Sequence, residues 1–263
     1  MPDEYTALPD PAGLGTVRGM PRRPVSPGSE PVAGLTAPPV TDGSFPATAR
    51  TRVRRADRAS YDRALVHAIL DEAPLCHVAF VIDGTPFVVP MLHGRVEDTL
   101  YLHGLPASRI MRHLRAGAEV CVEATLVDGW VMARSSFHHS VNYRSAVVLG
   151  PGRLVRSRRE KLDGLRAIVE HLTPGRWADA RPPSEPELRQ TQVVAIPIRE
   201  ASAKVRTGPP ADDPGDLVLP VWAGVIPVHT TFGAPAADTS GERAPIPAYL
   251  AALIAGPSAD PPR

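Results

Sequence analysis

Three short pieces of this chain group residue types that suit an anion. Ser108-Arg109 places a hydroxyl beside a guanidinium where a helix is expected to open. The first N–H groups of a helix carry no partner and sit at the positive end of its dipole, so an oxyanion there gains hydrogen bonds and charge together. A guanidinium adds a fork of donors that matches a phosphate. Tyr143-Arg144-Ser145 and Lys204-Val205-Arg206-Thr207 offer the same chemistry further along. Lys204 stands out because the chain has only two lysines, the other being Lys161. Hydrolytic chemistry has no comparable support. There is no GxSxG, no HExxH and no convincing pair of carboxylates. Among the nine histidines, His138 and His139 are adjacent and would face opposite ways on a strand, so they cannot share a metal. His77, His93 and His103 fall on different expected strands and could converge, but spacing does not require it, and no metal is expected.

Composition narrows the class. The chain has 263 residues, 43% of them apolar, which is enough for one core plus tails. A net charge of +1 gives no electrostatic case for nucleic acid or an anionic membrane. No run of eighteen apolar residues suggests a membrane span, and the start MPDEYTALPDPAGLG lacks the form of a secretory signal. Cys76 and Cys121 lie in apolar, strand-like runs and read as buried, reduced thiols, which points to the cytoplasm.

The elements that must position these groups follow from periodicity. Residues 1–50, rich in Pro, Gly, Ser and Thr, read as a disordered leader. The body is expected over 51–208. It opens with a helix capped by Ser60, with Leu65, Val66, Ile69 and Leu70 inward and Pro74 closing it. Two β-branched runs flank Asp83-Gly84, a type I′ hairpin signal, and Pro90 makes the second an edge or bulged strand. Glu97-Asp98 turns into LYLHG, and a short helix follows from Ser108 to Gly117. AEVCVEATLVDGWVMAR reads as a second hairpin about Asp128-Gly129. A long strand ends at Gly150-Pro151-Gly152, and a helix follows with Leu162, Leu165, Ile168, Val169 and Leu172 inward. TQVVAIPIREASAKVR reads as one late strand. The segment 209–263 is a partly docked extension, with 217–228 against the body and a short helix at Ala248–Ala255. Hairpins dominate and no GxGxxG follows a strand. The fold class is therefore mainly β with inserted helices, a small antiparallel barrel.

Taken as an ordered set, DGTPFVVPM, LYLHG, Ser108-Arg109, VCVEATLVDG, SSFHHSVNYRSAVVLG, KVRTGPP and WAGVIP resemble the pyridoxamine 5′-phosphate oxidase-like family, and within it the bacterial flavin-nucleotide-binding and nitroimidazole-resistance-like proteins. The resemblance covers about Arg52 to Val228. It implies a six-stranded antiparallel split β-barrel, a homodimer, and FMN in grooves at the dimer interface. By the same resemblance, the backbone of Val88, Val89, Pro90, Met91 and Leu92 meets the flavin ring edge, and His103 lies beside the flavin. Ser108 and Arg109 take the phosphate, Arg144 and Ser145 lie on the interface strand, and Lys204 and Arg206 approach the cofactor. Trp222 either covers the ring or belongs to the core. The ring-contacting strand here has no basic residue, and the Arg-x-His pair of the true oxidases is absent, so the resemblance does not extend to pyridoxamine phosphate oxidation. What it implies is flavin redox chemistry on a small molecule, with NAD(P)H as a candidate electron donor. Haem bound by His103 or another strand histidine, a deazaflavin, and a non-enzymatic flavin store are the other readings. The residues agree on one point: Thr85–Gly117 alone supplies an apolar slot, free backbone groups and a cationic end.

Overall fold

The computed structural model describes residues 43–238 and 245–255, and most of the expected leader lies outside them. Packing starts ahead of residue 51. Phe45 is buried in the main core, and Arg50 binds Glu119 and Glu200.

After a short β1 (Ala59–Ser60), α1 runs from Arg63 to Glu72. Its N-cap is Asp62 and not Ser60. The Asp62 carboxylate accepts from the Leu65 N–H, while Ser60 pairs in β1 with Ala203. Val66, Ile69 and Leu70 are fully buried, and Leu65 packs at the core's margin. Next come β2 (Cys76–Ile82) and β3 (Thr85–Met91), joined by Asp83 and Gly84, both at positive φ as a type I′ turn demands. A second tight turn at Glu97 joins β4 (His93–Val96) to β5 (Thr99–Gly104). Arg63 and His67 of α1 both hold the Asp98 carboxylate there, tying helix to turn. The helix α2 spans Arg109–Arg115.

The stretch read as a hairpin about Asp128-Gly129 is one continuous strand, β6 (Glu119–Met132). Its partner β7 (Ser140–Pro151) pairs Val127 with Tyr143 and Gly129 with Asn142, leaving Asp128 as the extra residue of a β-bulge. Gly129 is needed there because a Cβ would come within 2.9 Å of Val225 and 3.0 Å of the Ile226 carbonyl. A dipeptide that suits a turn also suits a bulge, and local sequence does not distinguish them.

Beyond β8 (Arg153–Leu154), α3 (Arg158–Leu172) buries Gly164 and Ile168, whereas Leu172 is exposed. Two short helices, α4 (Arg176–Asp179) and α5 (Glu185–Gln190), were not apparent from periodicity. The late apolar run is two strands, β9 (Gln192–Pro197) and β10 (Glu200–Arg206), which enter different sheets. In the extension, β11 (Gly224–Pro227) pairs with β6, and α6 covers Ala248–Ala255.

The architecture is mainly β, with antiparallel sheets and few helices. One sheet of seven strands has the order β1-β10-β7-β6-β2-β3 with β11 added on β6, and a second of four has the order β4-β5-β9-β8. Neither closes on itself among the described residues, so the count differs from the expected six. The main core lies under the larger sheet, and a smaller cluster of Tyr101, Val155, Ile168, Val193 and Ala195 sits beneath α3. Among the described residues, no helix is long and apolar enough to cross a membrane.

Candidate functional site

The strand β3 is the terminal strand of the larger sheet. Prolines lack the ladder donor, so Pro86 and Pro90 must occupy positions whose backbone faces away from β2. Val88 shares their parity, as the pairs Pro86–Val81, Val88–Ala79 and Pro90–His77 show, so its N–H and C=O are turned outward at the edge. Its side chain is exposed, while Phe87, Val89 and Met91 pack towards the core and Leu92 joins the smaller cluster.

Beside that edge lies a cleft of about 540 Å³ lined by Ile82, Asp83, Thr85, Phe87, Arg109, Arg112 and His113. An adjoining, more apolar cleft of about 550 Å³ shares Phe87 and His113 and continues along Ala79, Val81, Val88 and Cys121. The wall between them is aromatic: Phe80 stacks on Phe87 at 5.4 Å, and His113 lies 5.1 Å from Phe80. The guanidinium of Arg109 rests over the Phe87 ring at 4.4 Å. Neither Arg109 nor Arg112 has a carboxylate within salt-bridge range among the described residues.

At the opening of α2, Arg109 lines the cleft and Ser108 caps the helix. The helix has seven residues, and the Ser108 hydroxyl accepts from the Met111 N–H at 3.4 Å, so it is engaged in its own cap. The positive charge at the cleft comes from Arg109 and Arg112 more than from the helix end.

The other expected ligands lie elsewhere. Val89, Val78, Val122 and Val148 stand level across four strands. Phe87 is two residues to one side of that row and Arg144 four to the other, so Arg144 lies on the order of 20 Å from the cleft along the strands. Neighbouring residues on a strand face opposite ways. Arg144 therefore points under the sheet to α1, where Glu72 and Asp128 take its guanidinium. The hydrogen bonds it donates to Glu72 and then to Asp128 raise its pKa further. Ser145 is on the other face, where its hydroxyl donates to the Lys204 carbonyl at 3.3 Å. Lys204 lies 5.5 Å over the Tyr143 ring, and Arg206 donates to Asn142 and to the Gly208 and Pro209 carbonyls. Trp222 is 66% exposed and lies against Gly224.

The three strand histidines do not converge. His77 is exposed beside Glu123. His93 is fully buried, its Nε2–H donates to the Leu70 carbonyl at 2.8 Å, and burial pushes its pKa down to about 4. His103 projects from β5 into a cleft of about 650 Å³ with Leu165, Val169, Trp177, Arg181 and Leu188. Its Nδ1 is buried with no hydrogen-bond partner, and burial lowers its pKa. No group of three or more His, Cys, Asp or Glu placed for a metal ion occurs among the described residues. Cys76 and Cys121 are free thiols, and burial raises the pKa of both, that of Cys76 to about 12.

Comparison with known proteins places this arrangement. The family model described as pyridoxamine 5′-phosphate oxidase matches residues 62–205. The chain belongs to that family. Among solved structures it is similar to the flavocytochrome Anf3 from Azotobacter vinelandii, with 39% identity over 78% of this chain and 96% of that one, and a TM-score of 0.73. It is also similar to an FAD- and haem-binding protein from Mycobacterium smegmatis, with 36% identity over 75% of this chain and 97% of that one, and a TM-score of 0.72. A 5-nitroimidazole antibiotic resistance protein from Bacteroides thetaiotaomicron matches at 28% identity over 56% of this chain and 86% of that one, with a TM-score of 0.48. No curated protein sequence matches.

His113 and Arg112 line the cleft and were not among the residues named from the sequence, although both stand one turn beyond Ser108-Arg109.

Proposed function

We propose that this chain is a redox protein that binds a flavin nucleotide and a haem. The observation that carries the reading is a pair of clefts, one lined by His103 of β5 and the other by Arg109 and Arg112 of α2. His103 lines one cleft and Arg109 and Arg112 another, and none of the three has a carboxylate in salt-bridge range among the described residues, whereas Arg50, Arg95, Arg144 and Arg153 each do. His103 would hold a haem iron, and apolar Leu165, Val169, Trp177 and Leu188 would enclose the group. The cleft at Phe87 suits a flavin nucleotide. Arg109 and Arg112 would hold phosphate, and the outward backbone of Val88 would meet the polar edge of the ring. The two relatives above 35% identity, one a flavocytochrome and the other a binder of FAD and haem, favour this pair over FMN alone.

A bound flavin and haem would supply electron or hydride transfer. The chain's own part is to bind, orient and exclude water. Phe87 and Phe80 would wall the flavin slot, and Arg109 would fix its anionic end. Leu188 and Val169 would keep solvent from the His103 side. We place the two sheets as the halves of a split barrel. A second copy of the chain would bring Lys204 and Arg206 towards the cleft that they cannot reach within one chain.

The absorption spectrum of the purified protein tests the reading. Flavin bands together with a Soret band are expected, and His103→Ala should abolish the Soret band while leaving the flavin bands. Chromatography of the released flavin separates FAD from FMN. A protein that gains no colour from either flavin would refute the flavin assignment. Anaerobic NADPH tests for a nicotinamide donor by bleaching, and light scattering tests for the dimer.

A further inference from the structure

Two histidines join α1, β4 and α3 at the edge of the smaller sheet. His93 of β4, the terminal strand, is fully buried, and its Nε2–H donates to the Leu70 carbonyl of α1 at 2.8 Å. His171, in the last turn of α3, donates its Nε2–H to the carbonyl of Ala73, the C-cap of α1, at 2.9 Å. The two rings lie 4.3 Å apart. With the proton on Nε2, each neutral ring has a bare Nδ1. That of His93 is buried and has no hydrogen-bond partner. A second proton there would add a donor with nothing to receive it, and a buried charge beside another imidazole. The His93 ring can therefore take a charge only by leaving its place.

The surrounding charges do not relieve this. Asp71 of α1 attracts a charge on His93, but Arg95 of β4 already binds it, and Glu72 is turned to Arg144. On α3, Glu170 accepts the N–H groups of Gly175 and Trp177, while Asp163 and Arg166 border the open cleft beside His171. From β5, Tyr101 is bound to Glu160. What the pair fastens is one wall of the His103 cleft. Leu165 and Val169 of α3 line that cleft, and so do Trp177 and Ala180 just beyond. Beneath α3 lies the smaller cluster of Tyr101 and Ile168, separate from the main core, so this wall can part while the larger sheet stays packed. His93 and His103 project to opposite faces of the sheet, because His93 pairs with Leu102 and neighbours on a strand alternate.

We propose that the His93–His171 pair is an acid-released latch, which holds α3 to the end of α1 while neutral and lets that wall of the His103 cleft open when His93 takes a proton. The latch does not depend on what fills the cleft. In the closed chain, burial holds the His93 pKa at about 4, against an ordinary 6.5. A released ring thus binds the proton before a closed one, and the open form gains as pH falls from 6.5 to about 4, by up to about tenfold per pH unit.

Hydrogen exchange of the full chain, read by mass spectrometry and corrected for the intrinsic effect of pH, tests the latch. Protection of α3 (Arg158–Leu172) should fall reversibly as pH drops from about 6.5 to about 4.5, by up to about tenfold per pH unit, while β6 and β7 keep theirs. His93→Gln keeps a donor for the Leu70 carbonyl and cannot charge, so its α3 protection should stay flat over the same range. Protection of α3 that holds in wild type, falls alike in His93→Gln, or falls in step with β6 and β7 would overturn the proposal. Should His93→Gln not fold, wild type decides by nuclear magnetic resonance: a His93 ring that titrates at the ordinary histidine value while α3 stays protected would overturn it equally.

Discussion

Arg144 and Arg109 are the same residue type on the same body, yet their surroundings differ. The guanidinium of Arg144 lies under the sheet between Glu72 and Asp128, its donors shared between two carboxylates. That of Arg109 lies over an aromatic ring at the mouth of a cleft, with no carboxylate in range among the described residues. The first arrangement satisfies the charge within the fold, so it joins α1 to the bulge of β6. The second leaves the charge open, which is where the proposed function puts a phosphate. Whether a cation's partners are already present separates these two surroundings, and its place in a motif does not.

The difference can be broken by substitution. The largest effect falls at the other uncommitted group: His103→Ala should remove the Soret absorption entirely, and its persistence would move the axial ligand to another histidine. Next, Arg109→Ala should weaken flavin binding by about 1.5–3 kcal/mol and leave the thermal midpoint of the flavin-free chain nearly unchanged. Equal affinity in the variant would place the phosphate elsewhere. Arg144→Ala should show the reverse: flavin affinity held and stability lowered by about 1–3 kcal/mol, the lower end favoured because the Glu72 side chain is 53% exposed. Denaturant midpoints measure it, and lost flavin affinity with intact stability would overturn the contrast.

A smaller effect concerns pH. The hydrogen bond from Arg144 holds the Glu72 carboxyl below its ordinary range. A group whose folded pKa is depressed stabilises above its unfolded pKa and loses that contribution as pH falls through the folded value. Wild type should therefore lose this part of its stability on acidification below the usual glutamate range, and Arg144→Ala should have a flatter acid limb. Parallel limbs would remove Glu72 from the account. Smallest of all, Arg181→Ala breaks an exposed pair with Glu187, and its thermal midpoint should match wild type within error.

Local signals were legible where one segment sufficed to specify them. Asp83-Gly84 made a turn because both residues tolerate positive φ and the runs beside them alternate. Pro90 marked an edge because a missing donor cannot sit inside a sheet. The same logic misread Asp128-Gly129. A bulge and a turn ask for the same residues, and what selected the bulge was β11 crossing Gly129 closely from nearly a hundred residues away. The short helices α4 and α5 were not visible because four and six residues carry too little periodicity.

By itself, then, the sequence determined the class of the protein. The mainly β class, the edge at β3 and the cationic start of α2 follow from residue type and period, and the family from the resemblance of an ordered set of motifs. Tertiary structure decided which of the named cations are available. Arg144 and Ser145 are neighbours in sequence, but strand alternation puts them on opposite faces of the sheet, and α1 then supplies Glu72 to one of them. Availability depends on which groups from distant segments fill a side chain's donors. That is set by packing, so no local pattern encodes it.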